Sequence, residues 1–215
     1  MRDFPVDDSP TVDQSLKIVY SRFNRLNTDE FVLKLMSLDE IGFSKLFSHL
    51  PLLLHSYLFE GIFSNAGNYR SHDDPGNGYI VFGLRQKFRG VSPASIEDGV
   101  TRAISNLTKN TADAVSNAVR FYQQFVMVHP FYDANGRIGR FILETYLNYH
   151  DVGVMWGKLC SNGKWIKKIN ECHKRFDQPS YDKYLGFLVK HWGQFTFQER
   201  ITPDETIAEP HALSM

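Results

Sequence analysis

The chain has 215 residues and a mass of 24.8 kDa, a size for one hydrophobic core with no room for a large second module. Lys plus Arg number 24 and Asp plus Glu number 24, a formal net charge of +0, which argues against a dedicated nucleic-acid binder with a basic face over the whole domain. Apolar residues make up 42% of the chain and 17 of its residues are phenylalanine, enough to build a substantial core and to exclude the disordered class.

In chain order, residues 1–12 read as a polar N-terminal tail, 13–197 as the folded domain and 198–215 as a polar C-terminal tail. Apolar spacing predicts helices over 13–26, 28–37, 40–64 with a break near Pro51, 94–109, 112–128, 135–150, 163–175 and 179–196. Ser92-Pro93 places a capping hydroxyl before a proline at a helix start, and Ser95 with Asp98 suits a capping box. Val115, Ala118, Val119, Tyr122 and Val126 recur at helical spacing and mark one buried face. Ile138, Phe141, Ile142, Leu143, Tyr146 and Leu147 instead cover most of a circumference, the pattern of a helix surrounded by protein.

Tyr79-Ile80-Val81-Phe82, then Gly83, then the run from Leu84 to Gly90 reads as two short strands joined near the glycine, an exposed flap. The fold class is therefore mainly α, a helical bundle with a short β-hairpin. Cys160 and Cys172 have neither metal-ligand spacing nor a disulfide framework, which points to a reducing compartment. The first residues lack a basic segment followed by an apolar run, and the apolar stretch from Leu46 to Phe63 is interrupted by Ser48, His49, Pro51, His55, Ser56 and Glu60. The expectation is a soluble cytoplasmic protein without a membrane span, with export by a specialised secretion apparatus left open.

The segment from His129 to Arg140 is the densest set of polar, charged and glycine residues, and it lies between the two most apolar helices. Pro130 ends the first helix, because the residue before proline is pushed out of helical geometry. Asp133 or Asn135 is placed to cap the second helix, whose first turn offers unpaired N–H groups around Ala134 to Arg137. Gly136 and the small Ala134 let a ligand approach that backbone. Unpaired amides and the positive end of the helix dipole make an anion site, and phosphate is its natural guest. Arg137 and Arg140, three apart, are spaced to clamp successive phosphates, and Asp133 is a hard oxygen ligand for a magnesium ion bridging them. His129 supplies a general base for a hydroxyl nucleophile.

His129-Pro130-Phe131-x-Asp133-Ala134-Asn135-Gly136-Arg137-x-x-Arg140 resembles the signature of the Fic family over its whole length. Ala66-Gly67-Asn68-Tyr69-Arg70 is similar to that family's Ala-Gly-x-x-Arg element, and the flap falls where the family places its target-docking hairpin. The resemblance implies a Fic-type helical bundle that acts as a protein adenylyltransferase with ATP as co-substrate and Mg2+ as cofactor. It implies that His129 deprotonates a Tyr, Thr or Ser hydroxyl of a target protein, and that Asp133 holds the metal. Ala134, Asn135 and Gly136 would cradle the α-phosphate, Arg137 and Arg140 would hold the outer phosphates, and Phe131 would anchor the loop in the core. The flap residues Ile80, Val81, Phe82, Gly83 and Leu84 would receive the target by adding a strand of it to their edge. Ala134 stands where the family more often has glycine, and Gly136 stands where related Doc-type kinases carry lysine, which favours nucleotidyl transfer over phosphorylation.

The remaining histidines show no zinc-ligand spacing and read as structural or exposed, and Lys167, Lys168, Lys174 and Arg175 read as a solvated helix face. The family's inhibitory motif matches only Ser56 to Gly61, inside a helix expected in the core, so the match is accidental. Restraint is then expected from a separate antitoxin-like partner, or activity is constitutive. Transfer of UMP, phosphate or phosphocholine, a non-catalytic nucleotide-binding module, and a helix-turn-helix binder are the alternatives, and self-association stays open.

Overall fold

The structure is a computed structural model that describes residues 12–26, 33–72, 80–83, 87–108, 113–161 and 163–198. Helix α1 (Val12–Asn24) lies against α2 (Glu40–Phe59), held by Arg22, whose guanidinium donates to the carbonyls of Leu58 at 3.1 Å and Glu60 at 2.8 Å. Of the helix expected over 28–37, the described residues show a helical turn at 33–36. At the start of α2 the Asp39 carboxylate accepts from the Gly42 N–H at 2.7 Å, an N-cap bond.

The break expected at Pro51 does not occur, and α2 stops at Phe59 rather than reaching 64. A proline inside a helix forfeits a backbone bond and costs about 3 kcal/mol. Phe47, Leu50, Leu54 and Leu58 line one face of α2 and are buried, and their transfer out of water, about 1.5–3 kcal/mol each, offsets that loss.

A short antiparallel hairpin follows, β1 (Val81–Phe82) with β2 (Phe88–Arg89), in the register Val81 to Arg89 and Phe82 to Phe88. A 3-10 turn at Pro93–Ser95 leads into α3 (Ile96–Thr108), where Ile96, Val100, Ala103, Ile104 and Leu107 form the buried stripe. The capping hydroxyl expected at Ser92 makes no bond to that backbone; it meets the Ser95 hydroxyl at 3.0 Å.

Two helices, α4 (Ala114–Val128) and α5 (Asn135–Tyr149), pack on each other at the centre. Asp113 caps α4 by accepting from Ser116 N–H at 3.0 Å. The single buried face expected for α4 is too narrow. Val115 and Val126 are only half-buried, whereas Asn117, Phe121, Gln123 and Phe125 are buried, because α3, α5 and α8 surround the helix. Its polar groups are paired inside: the Asn117 amide donates to the Tyr146 hydroxyl at 3.2 Å. Helix α5 is enclosed as its sequence predicts.

Beyond α5 the chain forms β3 (Val152–Val154), α6 (Trp156–Ser161), α7 (Lys164–His173), α8 (Tyr181–Trp192) and β4 (Thr196–Gln198). Neither α6 nor the β3–β4 pair is expected from the sequence. The pair is antiparallel, with Gly153 opposite Phe197, and returns the chain to the end of α5. The fold is thus mainly α with small antiparallel strand pairs, as the sequence predicts. No helix among the described residues is long and apolar enough to cross a membrane.

Candidate active site

The loop from His129 to Ala134 joins the two central helices and is fastened from within. Helix α4 ends at Val128, and His129 takes the left-handed conformation, φ 53 and ψ 59, while its N–H still donates to the Phe125 carbonyl at 3.1 Å. Phe131 is fully buried and stacks on the His55 ring at 4.1 Å. Asn135 closes the loop with both ends of its amide. Its Oδ1 accepts from Phe131 N–H at 2.9 Å, and its Nδ2 donates to the Phe131 carbonyl at 2.8 Å.

The capping expected from Asp133 or Asn135 is not what is observed. Ala134 is the N-cap, at φ 63 and without a side-chain bond, Asn135 is the first helical residue, and the Asp133 carboxylate accepts from Ala134 N–H at 2.6 Å. With no side chain over the helix start, its first-turn amides are left for an external acceptor such as phosphate. A Cβ placed on Gly136 would meet only the Tyr122 hydroxyl, at 4.0 Å, so packing within the protein does not demand glycine there, whereas close approach of a ligand would.

The backbone at Ala134 also explains why glycine suits this position better. A left-handed L-residue costs about 1–2 kcal/mol, and glycine returns about 0.4–1 kcal/mol through the unfolded chain. Ala134→Gly is therefore expected to stabilise the protein by up to about 1 kcal/mol, read as a higher urea midpoint at unchanged slope. A lower midpoint would mean that packing of the Ala134 methyl outweighs the backbone strain.

His129 is held from three sides. The buried Arg70 donates through Nε to the His129 carbonyl at 2.8 Å and through its other end to the Val91 carbonyl, and its N–H donates to the Pro130 carbonyl at 2.9 Å. Phe82 of the hairpin stacks on the imidazole at 4.4 Å and 11°. Gly90, just past β2, fits close against the same backbone, since a Cβ there would come within 2.9 Å of the His129 Cβ. The result is a depressed basicity: burial, aided by the charge of Arg70, lowers the His129 pKa to about 4 against the opposing pull of Val126 and Asp133. The Val126 backbone favours the protonated ring without meeting hydrogen-bond geometry at Nδ1, which is buried with no partner. Nε2 is thus the ring nitrogen left to meet an incoming group.

The two motif arginines have different neighbours. Arg137 pairs with Asp133 at 3.0 Å and lies 5.4 Å from the Tyr20 ring of α1, whereas the exposed Arg140 lies 5.4 Å from the Trp156 ring of α6. Trp156 is itself oriented by its indole N–H, which donates to Glu144 at 2.7 Å. Among the described residues no group of three His, Cys, Asp or Glu gathers as a metal cluster. Asp133, about half-exposed at 51%, fits the other way of holding magnesium, through one carboxylate with substrate phosphates and water completing the shell.

Of the flap residues, Ile80 accepts from Gly90 N–H at 3.0 Å, Val81 and Phe82 form β1, Gly83 turns at φ 78, and Leu84 lies outside the described residues. His55 is structural, as expected: its Nδ1 accepts from Gly67 N–H at 3.0 Å. Gly67 itself sits at φ 80, with room for a Cβ only 3.0 Å from Ser56. Arg70, Tyr20, Trp156 and His173 are neighbours of the site that residue spacing did not single out. Only Arg70 carried a signal, as the last residue of the Ala-Gly-x-x-Arg element.

A family profile described as Fic/DOC family matches residues 49–147. A probable protein adenylyltransferase of Aquifex aeolicus (strain VF5) is 33% identical over 100 residues, 46% of this chain and 28% of that relative, so the match spans under a third of its length. Two solved structures share the fold. The N-terminal FIC domain of Bep8 from Bartonella sp. 1-1C aligns at a TM-score of 0.57 and 11% identity, over 88% of this chain and 89% of that one. BepC from Bartonella tribocorum, solved with bound AMPPNP, aligns at 0.52 and 17% identity, over 85% and 88%. The histidine-to-arginine loop, the Arg70 clamp behind it and the hairpin in front of it lie on this shared helical frame, and all three fall within residues 49–147, the part of the chain that matches the Fic/DOC family.

Proposed function

We propose that this Fic-type transferase moves AMP from ATP to a Tyr, Thr or Ser hydroxyl of a target protein and releases pyrophosphate. The observation that carries the reading is the meeting of a neutral histidine at the end of α4 with the uncapped start of α5, where Arg137 and Asp133 stand. The hydroxyl oxygen forms a bond to the α-phosphorus, its proton passes to His129 Nε2, and the bond to the β-phosphate bridging oxygen breaks. The amides of the first α5 turn take the α-phosphate charge, and Arg137 and Arg140 take that of the leaving group. A magnesium ion travelling with the nucleotide would be held by Asp133 and would neutralise phosphate charge.

The name of the Aquifex relative and the AMPPNP in the BepC structure support a nucleotide donor. The hairpin beside His129 supports a polypeptide acceptor that adds to its edge. Incubation with magnesium, cell lysate and ATP labelled on the α- or the γ-phosphate tests the reading. Label is expected on protein from the α position only, and His129→Ala is expected to reduce it about a hundred- to ten-thousand-fold. Label arriving from the γ position would assign a kinase reaction instead.

A further inference from the structure

A groove of about 440 Å³ runs between the hairpin and α7, lined by Lys87 and Phe88 on one wall and by Ile166, Lys167, Glu171 and Lys174 on the other. It continues at one end into a cleft of about 360 Å³ that adds Lys164 and Lys168, and beside β2 into one of about 390 Å³ that adds Arg89 and Asp177. Among the described residues these walls carry six cationic side chains (Lys87, Arg89, Lys164, Lys167, Lys168 and Lys174) and two carboxylates, Glu171 and Asp177. Glu171 is already engaged, by Lys174 at 2.7 Å and Arg175 at 2.6 Å. The whole chain is neutral, so this excess is local rather than a general property of the surface.

We propose that the groove receives an acidic segment of the target protein, drawn in beside the hairpin so that a neighbouring hydroxyl reaches His129. The inference rests on the nucleotidyl-transfer reading for that last step, and on charge and continuity for the docking itself. Lys87 and Phe88 belong to the hairpin and to the groove at once, so a strand added to the hairpin has a direct path onto α7. The exposed Ile166 gives such a segment one apolar foothold among the lysines. A nucleic-acid strand suits the groove less well. Phe88, the aromatic ring that lines the groove itself, is buried, so bases have no stacking face there; the exposed Phe187 lies outside it, in the adjoining cleft, with the Lys168 ammonium 5.9 Å from its ring.

The test uses fluorescence anisotropy without nucleotide. One probe is a short fluorescein-labelled peptide rich in Asp and Glu around a single tyrosine, the second its Asn/Gln counterpart, the third an oligouridine of similar charge. The acidic peptide is expected to bind the unmodified protein at least about tenfold more tightly than the neutral one and to weaken as salt rises. Lys87→Glu/Lys167→Glu, at two exposed positions, is expected to abolish that difference with the melting transition retained. The salt titration of the unmodified protein gives the same test if the variant fails to fold. Equal affinity for both peptides, or preference unchanged by charge reversal, would overturn the inference. Tighter, salt-dependent binding of the oligouridine would replace it with a nucleic-acid surface. Charge-dependent peptide binding without transfer of α-label would keep the docking surface and remove the transfer reading. Transfer with charge-blind binding would remove this inference alone.

Discussion

Arg70→Ala is expected to cost the fold several kcal/mol and to abolish label transfer even in the fraction that stays folded. The side chain is 1% exposed and holds the part-buried carbonyls of His129 and Val91, which lose this donor without it. An unsatisfied buried acceptor costs about 1–3 kcal/mol, and the cavity left by the side chain adds to that. Against a total of about 5–15 kcal/mol this is a large share. The functional effect has a separate cause. His129 sits at φ 53, a conformation that costs about 1–2 kcal/mol in an L-residue and persists only while its surroundings enforce it. Releasing its carbonyl allows the imidazole to leave the start of α5. Urea unfolding and α-label transfer, measured on Arg70→Ala and Arg70→Lys, separate the two effects. The lysine variant can still reach one carbonyl and should fall between. An alanine variant with an unchanged urea midpoint would show that Arg70 does not clamp the loop.

That clamp also shows where sequence reading stops. His129 to Arg140 was legible as a candidate site because its polar residues fall in one contiguous run over a loop and a helix start, and Pro130 marks where the first helix ends. The Asp113 cap was not read: the helix expected from 112 starts at Ala114, just after it. Pro51 misled, because its local cost is offset by four buried side chains that only the assembled bundle brings together. The pairing of Val152–Val154 with Thr196–Gln198 is fixed by contacts across the fold, and three-residue strands have no period of their own to read. Asn135 is the subtler case. Its type suggested a phosphate contact or a cap, yet both ends of its side chain are used to bind Phe131, which leaves its backbone to face a ligand. Arg137 and Arg140 could be placed on neighbouring turns, but nothing in their spacing foretold that Tyr20 and Trp156 would flank them.

Stability is expected to fall steeply as pH drops from about 6.5 toward 4, an interval that lies mostly above the range in which carboxylates titrate. His55, His129 and His173 are each lowered from 6.5 to about 4, first by burial. The unfolded chain therefore binds these protons near pH 6.5 while the folded protein resists them until about 4, so unfolding takes up protons within that window. Their contribution is fully present above 6.5 and is lost as pH falls through the interval, each ring giving up about 1.4 kcal/mol for every pH unit crossed. Burial is the main cause, and in two of the rings a hydrogen bond to Nδ1 acts in the same direction. His55 Nδ1 accepts from Gly67 N–H at 3.0 Å. Tyr181 donates its hydroxyl to Gln123 Oε1, which turns the Gln123 amide to donate to His173 Nδ1 at 3.2 Å, so a proton at either Nδ1 displaces a donor. The neighbouring His129 further disfavours charge on His173, whose ring lies edge-on to Phe82 and Phe88. Urea unfolding at pH 7, 6 and 5 is expected to show a loss of several kcal/mol, with a shallower slope in His173→Gln. A flat profile between pH 7 and 5 would show that these rings charge freely in the folded protein. Because His129 stays neutral down to about 4 while the fold persists, the acid limb of activity should follow the unfolding curve rather than an independent titration of the base.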